Sequence, residues 1–219
     1  MNIRHILTVD PSLACSGWAL FRLLDGALLA VGSVKSLGPE HPLAVRFRVL
    51  QERVGALYER CQLGDTDLVV CEMQTTMRDP HAAHKVEQVR GIFEVLGRAR
   101  GAQVPGRINP RTVQFEAMGM RGCQLDRATV KAQAVYTASA LYGDALKKIG
   151  FNSSTQNLSK NQDIVDALLL GTVAIARIKT AVQGSHDILG LFESNSRRTR
   201  AGVLKRTQRA SRQPKIRTE

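Results

Sequence analysis

Residues 3–34, IRHILTVDPSLACSGWALFRLLDGALLAVGSV, decide the fold. Residues 3–9 are an apolar run rich in β-branched side chains, and the run stops at Asp10-Pro11, where proline has no N–H to continue a ladder. This predicts a central strand with the Asp10 carboxylate at its tip. The small-residue stretch SLACSG then turns the chain. Residues 18–23 and 27–34 flank Asp25-Gly26, a dipeptide suited to the positive φ angles of a tight hairpin. The opening therefore reads as a three-stranded antiparallel meander.

Working outward, Leu43, Phe47, Leu50, Val54, Leu57 and Tyr58 recur at helical spacing over residues 42–62, which predicts a helix covering the sheet. Residues 67–71, DLVVC, form a short apolar strand of the kind buried on both faces, and it delivers Glu72 at its end. Asp79-Pro80 has the form of an N-cap followed by proline at the first helical position. The helix it opens runs to about residue 100 with Ala82, Val86, Val89, Phe93 and Leu96 on one face. A strand is expected over 102–108, interrupted by Pro105-Gly106. A short helix opens at Asn109-Pro110 and ends by Gly119 and Gly122. Asp126 caps a helix over 127–148 whose first turns present Lys131. Residues 150–162, GFNSSTQNLSKNQ, read as a polar loop, and a buried helix follows from Asp163 to about residue 181. Strands and helices in this order make the chain an α/β protein.

The 219 residues are 43% hydrophobic, enough for one well-cored domain, expected over 1–183. The longest apolar stretch, 167–176, is far short of the roughly 20 residues that span a bilayer, and the N-terminus has no signal-peptide layout. A cytoplasmic protein without membrane association is expected. Four separated cysteines show no C-x-x-C pair and predict reduced thiols. The net charge of +12 points to a polyanionic partner, nucleic acid first. That charge is uneven: residues 197–219 carry nine Lys or Arg against one acid, a net of +8, whereas residues 1–196 carry 22 against 18, a net of +4. Residues 184–219 are read as a basic, disordered arm that holds phosphates without reading sequence.

Asp163 and Asp166 stand at i and i+3 in the first turn of the last helix, so their side chains rise on one face. Taken alone, the pair is explained by helix capping and dipole complementation. The combination carries more. Asp10 and Glu72 end two apolar strands while Asp163 and Asp166 open an apolar helix, and clustered carboxylates stay ionised only if hard divalent cations, typically Mg²⁺, bind between them. In a basic protein this suggests metal-assisted phosphodiester chemistry. His81 and His84 share a helix face but lack further soft ligands nearby, which leaves them surface or packing roles.

Three blocks together resemble the RuvC family of Holliday-junction resolvases, in the RNase H-like superfamily: ILTVDPSLACSGWALF, VVCEMQTTMRDPHAAHKVEQVRG and NQDIVDALLLG. Lys131, in TVKAQAVY, matches the family's lysine near the start of the preceding helix, and Lys85 falls on a position that is basic in the family. The resemblance covers roughly residues 3–180. It implies a mixed five-stranded sheet, its first three strands antiparallel, flanked by helices. It also implies a homodimer and a Mg²⁺-dependent endonuclease acting on branched DNA; the broad apolar helix from Ala82 to Leu96 is the candidate interface, with simple packing on the parent sheet at least an equal reading of most of those residues. Asp10 would bridge two metal ions, for which Mn²⁺ can substitute, with Glu72 and Asp166 each completing one shell. Asp163 would be a ligand or orient the attacking water, and Lys131 would neutralise charge on the phosphorane. Lys85, Arg90, Arg111 and Arg121 are candidate phosphate contacts, although Arg90 has an equal structural reading as the partner of an acid near Glu72. Ser12 replaces the glycine that usually follows Asp-Pro. Thr75 stands where the family places an aromatic three residues after the Glu, which leaves Met73 or Met77 as an apolar wedge at the junction centre. The long basic tail resembles that of divergent bacteriophage resolvases, placing the protein in a bacterial cell or a phage-infected host. Three other readings are a nuclease of the same chemistry acting on RNA, RNA–DNA hybrids or forks, an actin-like ATPase, and a non-catalytic DNA-binding architectural protein.

Overall fold

The computed structural model describes residues 3–73, 79–120 and 126–192. The apolar opening run forms β1 (His5–Asp10). It is followed by β2 (Cys15–Arg22) and β3 (Leu28–Lys35), each antiparallel to the strand before it. Asp25-Gly26 makes the hairpin as expected: Gly26 adopts φ +75°, and the Arg22 N–H donates to the Ala27 carbonyl at 2.9 Å. β4 (Asp67–Glu72) lies parallel to β1 and β5 (Arg107–Ile108) parallel to β4, giving the order β3-β2-β1-β4-β5 with β1 central. This is the expected mixed five-stranded sheet, its first three strands antiparallel and its faces covered by helices.

Helices cover both faces because the strands alternate apolar side chains between them. Leu7, Val9, Trp18, Val69 and Cys71 pack with Leu50, Val54 and Tyr58 of α1 (Leu43–Arg60) and Phe93 of α2 (Pro80–Ala99). Ile6, Phe21, Leu68 and Val70 face the other way. They meet α4 (Arg127–Lys148) and α6 (Gln162–Gln183), with the short α3 (Pro110–Glu116) alongside. The helix starts follow capping chemistry: Asp79, Asn109 and Asp126 accept from the backbone N–H of His81, Arg111 and Thr129, each at 2.9 Å. At Gly171 a Cβ would sit 2.2 Å from the Phe21 ring, so glycine lets α6 lie directly on β2.

Three expectations are corrected. Of the strand expected over 102–108, only Arg107–Ile108 pairs continuously, with one isolated bridge between Leu68 and Gln103, because Pro105 lacks a donor and Gly106 turns to φ +111°. The polar loop expected over 150–162 contains a helix, α5 (Thr155–Lys160), capped by the Ser154 hydroxyl and pinned by the fully buried Leu158. The folded unit also extends past residue 183: Ile188 and Phe192 join the core, and the Phe192 N–H donates to the Pro105 carbonyl at 3.1 Å. Residues 193–219, which contain most of the basic arm, lie outside the described residues. Cys15, Cys61 and Cys71 are free thiols. No helix among the described residues is long and apolar enough to cross a membrane.

Candidate active site

Strand geometry brings the first two acids together. β1 and β4 run parallel with Val9 opposite Cys71, so the next residue of each, Asp10 and Glu72, leaves the same end of two neighbouring strands. Both share the even-numbered face with Ile6, Thr8, Leu68 and Val70, the face that α6 covers. The turn after Asp10 is stapled: the Ser16 hydroxyl accepts from the Ser12 N–H at 2.9 Å and donates to the Ser12 carbonyl at 2.8 Å.

The second pair arrives with the start of α6. The Thr8 hydroxyl, fully buried on β1, donates to the Ala167 carbonyl at 2.7 Å and so ties the first turns of α6 to the strand carrying Asp10. Gly17 is opposite Asp10 in the β1–β2 ladder, and a Cβ there would sit 2.0 Å from the Asp163 carbonyl oxygen. Only glycine lets the helix start come so close. Asp163 and Asp166 therefore approach Asp10 from above while Glu72 flanks it.

The electrostatics report that proximity. Burial is the largest influence on Asp10, and repulsion from Asp166 and Asp163 adds to it, pushing its carboxyl up to about 8 despite the opposing field of Arg90. Glu72 is raised well above the carboxylate range by burial and by repulsion from Asp10 and Asp166, again with Arg90 opposing. Burial and Asp163 lift Asp166 to about 6, and Lys131 and Arg127 oppose the shift. The Cys15 thiol is likewise pushed up, by burial and then by its hydrogen bond to the Asp163 carboxylate.

A cleft of about 200 Å³ opens beside this group, between α3, α4 and α6. Glu72, Asp166, Arg127, Lys131 and Gln162 stand on its walls, above an apolar floor that includes Val113, Val130 and Leu169. A larger recess, about 560 Å³, lies along the outer side of α4 and contains none of the four acids.

The remaining candidates separate clearly. Arg90 is 1% exposed, so it is withdrawn as a phosphate contact; of its two readings, the structural one holds. Its Nε donates to the Glu72 carbonyl at 2.8 Å, and its guanidinium also pairs with Glu87. Arg107 extends the network, donating to Glu87 at 2.9 Å and to Glu94 at 2.6 Å. This lattice fixes α2 against β4 and β5 and sets the backbone that carries Glu72. Lys131 is exposed at the cleft. Lys85 is exposed on α2, which covers the opposite face of the sheet from the acids; Arg111 is exposed on α3, next to Pro110 of the cleft wall; and His81 and His84 are exposed on α2. Met73 is half-buried directly after Glu72, its N–H donating to the Ile108 carbonyl at 2.8 Å. Thr75, Met77 and Arg121 lie outside the described residues. Sequence reasoning missed Arg127, whose signal was its position one helical turn before Lys131. It also missed the close-approach role of Gly17.

Among the described residues, no three His, Cys, Asp or Glu side chains converge tightly enough to enclose an ion. The donor set nonetheless fits a hard divalent cation. Asp10, Glu72 and Asp166 offer only oxygen, and each is held in a setting that penalises its own negative charge, a penalty that a bound cation relieves.

No protein-family model and no curated protein matches the chain. Solved structures do. The RuvC of Thermus thermophilus in complex with Holliday junction substrate is similar over 83% of this chain and 96% of that one, at 19% identity and a TM-score of 0.56. A second Thermus thermophilus RuvC structure is similar over 82% of this chain and 96% of that one, at 19% identity and a TM-score of 0.57. The fold of this chain is a RuvC-like fold.

Proposed function

We propose that this protein is a divalent-metal-dependent endonuclease that cuts branched DNA, four-way junctions first. The observation that carries the proposal is the meeting of Asp10, Glu72, Asp163 and Asp166 at one end of the sheet, beside a cleft bearing Arg127 and Lys131. The likeness to a RuvC in complex with Holliday junction substrate supports the choice of branched DNA over other phosphodiesters. Asp10, Glu72 and Asp166 are the residues that would hold Mg²⁺. Two such ions, when bound, supply an activated water and stabilise the leaving 3′ oxygen.

The chain's own contribution is placement and charge. Thr8 and Gly17 hold the start of α6 against β1 and β2, which sets the position of Asp163 and Asp166 relative to Asp10. Asp163 accepts the Cys15 thiol proton in a hydrogen bond and is the acid that orients the attacking water or adds a ligand. Lys131, on the cleft wall, neutralises negative charge developing on the scissile phosphate. Arg90 keeps the Glu72 main chain in place and does not reach the substrate. A junction has two-fold symmetry and requires paired cuts, so the active species is a homodimer; Val89 and Phe93 of the expected α2 face are buried against the sheet, which leaves the exposed side of α2 around Val95, beside Ile92 and Leu96, as its interface.

The test is a substrate panel. Wild type and Asp10→Asn are incubated with labelled four-way junction, Y-fork, linear duplex and RNA–DNA hybrid, with Mg²⁺ or with chelator. Symmetric nicks in the junction that require Mg²⁺ and are absent in the variant are expected. Cutting confined to forks or hybrids would reassign the substrate, and binding without cleavage under Mg²⁺ or Mn²⁺ would reduce the four acids to structural roles.

A further inference from the structure

We propose that the cleft between α3, α4 and α6 receives the nucleotide adjoining the scissile phosphate, and that Arg127 binds that nucleotide's own phosphate. The inference rests on the endonuclease reading above and assigns a substrate contact that the resemblance does not supply. Asp126 fixes the start of α4 by capping the Thr129 N–H at 2.9 Å, so Arg127 and Lys131 stand one turn apart on the helix face that lines the cleft. Their positive fields both reach Asp166, across the cleft on α6.

What singles out Arg127 is the contrast with the other arginines around the site. Arg90 and Arg107 are committed to Glu87 and Glu94 in an internal lattice. Arg127 is exposed and, among the described residues, makes no ion pair and no side-chain hydrogen bond, although Glu72 and Asp166 line the same small cleft. A guanidinium left unmatched beside acids that already repel one another is matched by an anion that enters with its own counter-cations, as a phosphodiester does. Its planar fork suits a phosphate that must be held in one orientation, whereas the lysine ammonium is a point charge suited to charge that develops during reaction. The two residues thus divide the work: Lys131 serves the scissile phosphate and Arg127 its neighbour. Between them Val130, part-exposed over the buried Val113 and Leu169, offers the sugar an apolar contact.

The experiment separates this assignment from the reading beneath it. Binding of labelled four-way junction is measured by fluorescence anisotropy across a salt series, in an Asp10→Asn background that binds without cutting. It is repeated with Arg127→Gln and Arg127→Lys added, and with junctions carrying one uncharged methylphosphonate at successive positions. We expect Arg127→Gln to weaken binding about tenfold and to flatten the log–log salt slope by about 0.9, one phosphate's worth. Arg127→Lys should restore the slope and only part of the affinity. Neutralising the phosphate next to the scissile one should weaken the parent and leave Arg127→Gln unchanged, the non-additivity that marks a direct partner. Unchanged affinity and slope in Arg127→Gln overturn the inference, as does non-additivity at the scissile phosphate itself or additivity at every position. A parent that binds no branched DNA overturns the endonuclease reading, and the inference falls with it.

Discussion

Asp10 concentrates the chemistry of this site and also its instability. In the unfolded chain an aspartate ionises near about 3.9, whereas burial and its acidic neighbours push the folded Asp10 up to about 8. Between those values the folded protein holds a proton that the unfolded chain has lost. The contribution to stability is therefore complete below about pH 4 and is lost as pH rises towards 8. Asp10→Asn removes the burden. In metal-free buffer the variant should melt higher than wild type at pH 8, by an amount on the order of 5 °C, with little difference at pH 4; calorimetric scans at the two values check this. A variant no more stable at pH 8 would mean that Asp10 is not charged against its neighbours. Arg90 gives the opposite lesson about reading single residues. Its spacing from Glu72 placed it in the right neighbourhood, but only packing distinguishes a buried guanidinium that holds a main-chain carbonyl from an exposed one that meets phosphate.

At the level of elements, legibility followed the strength of local signals. The three opening strands, β4, and helices α1, α2, α4 and α6 were all readable, because each has a long apolar period or a capping residue that acts within its own few residues. β5 was overestimated, since residues 102–108 have strand composition but Pro105-Gly106 removes a donor and turns the chain, which shortens the pairing to two residues. α5 was missed because a six-residue polar helix carries one apolar anchor and no period to detect. Its order comes from tertiary packing of Leu158, which is 0% exposed. Leu158→Ala should accordingly cost about 2–5 kcal/mol in urea unfolding, although it lies in a segment of loop-like composition. A loss under 0.5 kcal/mol, within the range of surface substitutions, would return the segment to a loop. The candidate site was legible for the same local reason, as its acids sit at strand ends and a helix start. The residues that bring those elements together, Thr8 and Gly17, act across the fold and leave no local pattern.

For the whole molecule, one central strand organises everything: β1 carries Asp10, β4 beside it carries Glu72, and α6 lies over both with Asp163 and Asp166 at its start. The sheet is covered by α4 and α6 on one side and by α1 and α2 on the other. On α2, Val95 remains 62% exposed beside the half-buried Ile92 and Leu96, which is the surface proposed to meet a second copy. Sedimentation equilibrium at micromolar concentration should give a dimer, and Val95→Asp should shift it to monomer; a wild-type monomer under those conditions would contradict the paired-cut arrangement. The central claim, that the four acids form one metal site, is tested most directly by titrating metal-free protein with Mn²⁺ in a calorimeter. Wild type should bind Mn²⁺ in competition with Mg²⁺, and Asp10→Asn, folded by circular dichroism, should lose that binding. Equal Mn²⁺ binding by the two proteins, or none by wild type, would contradict it.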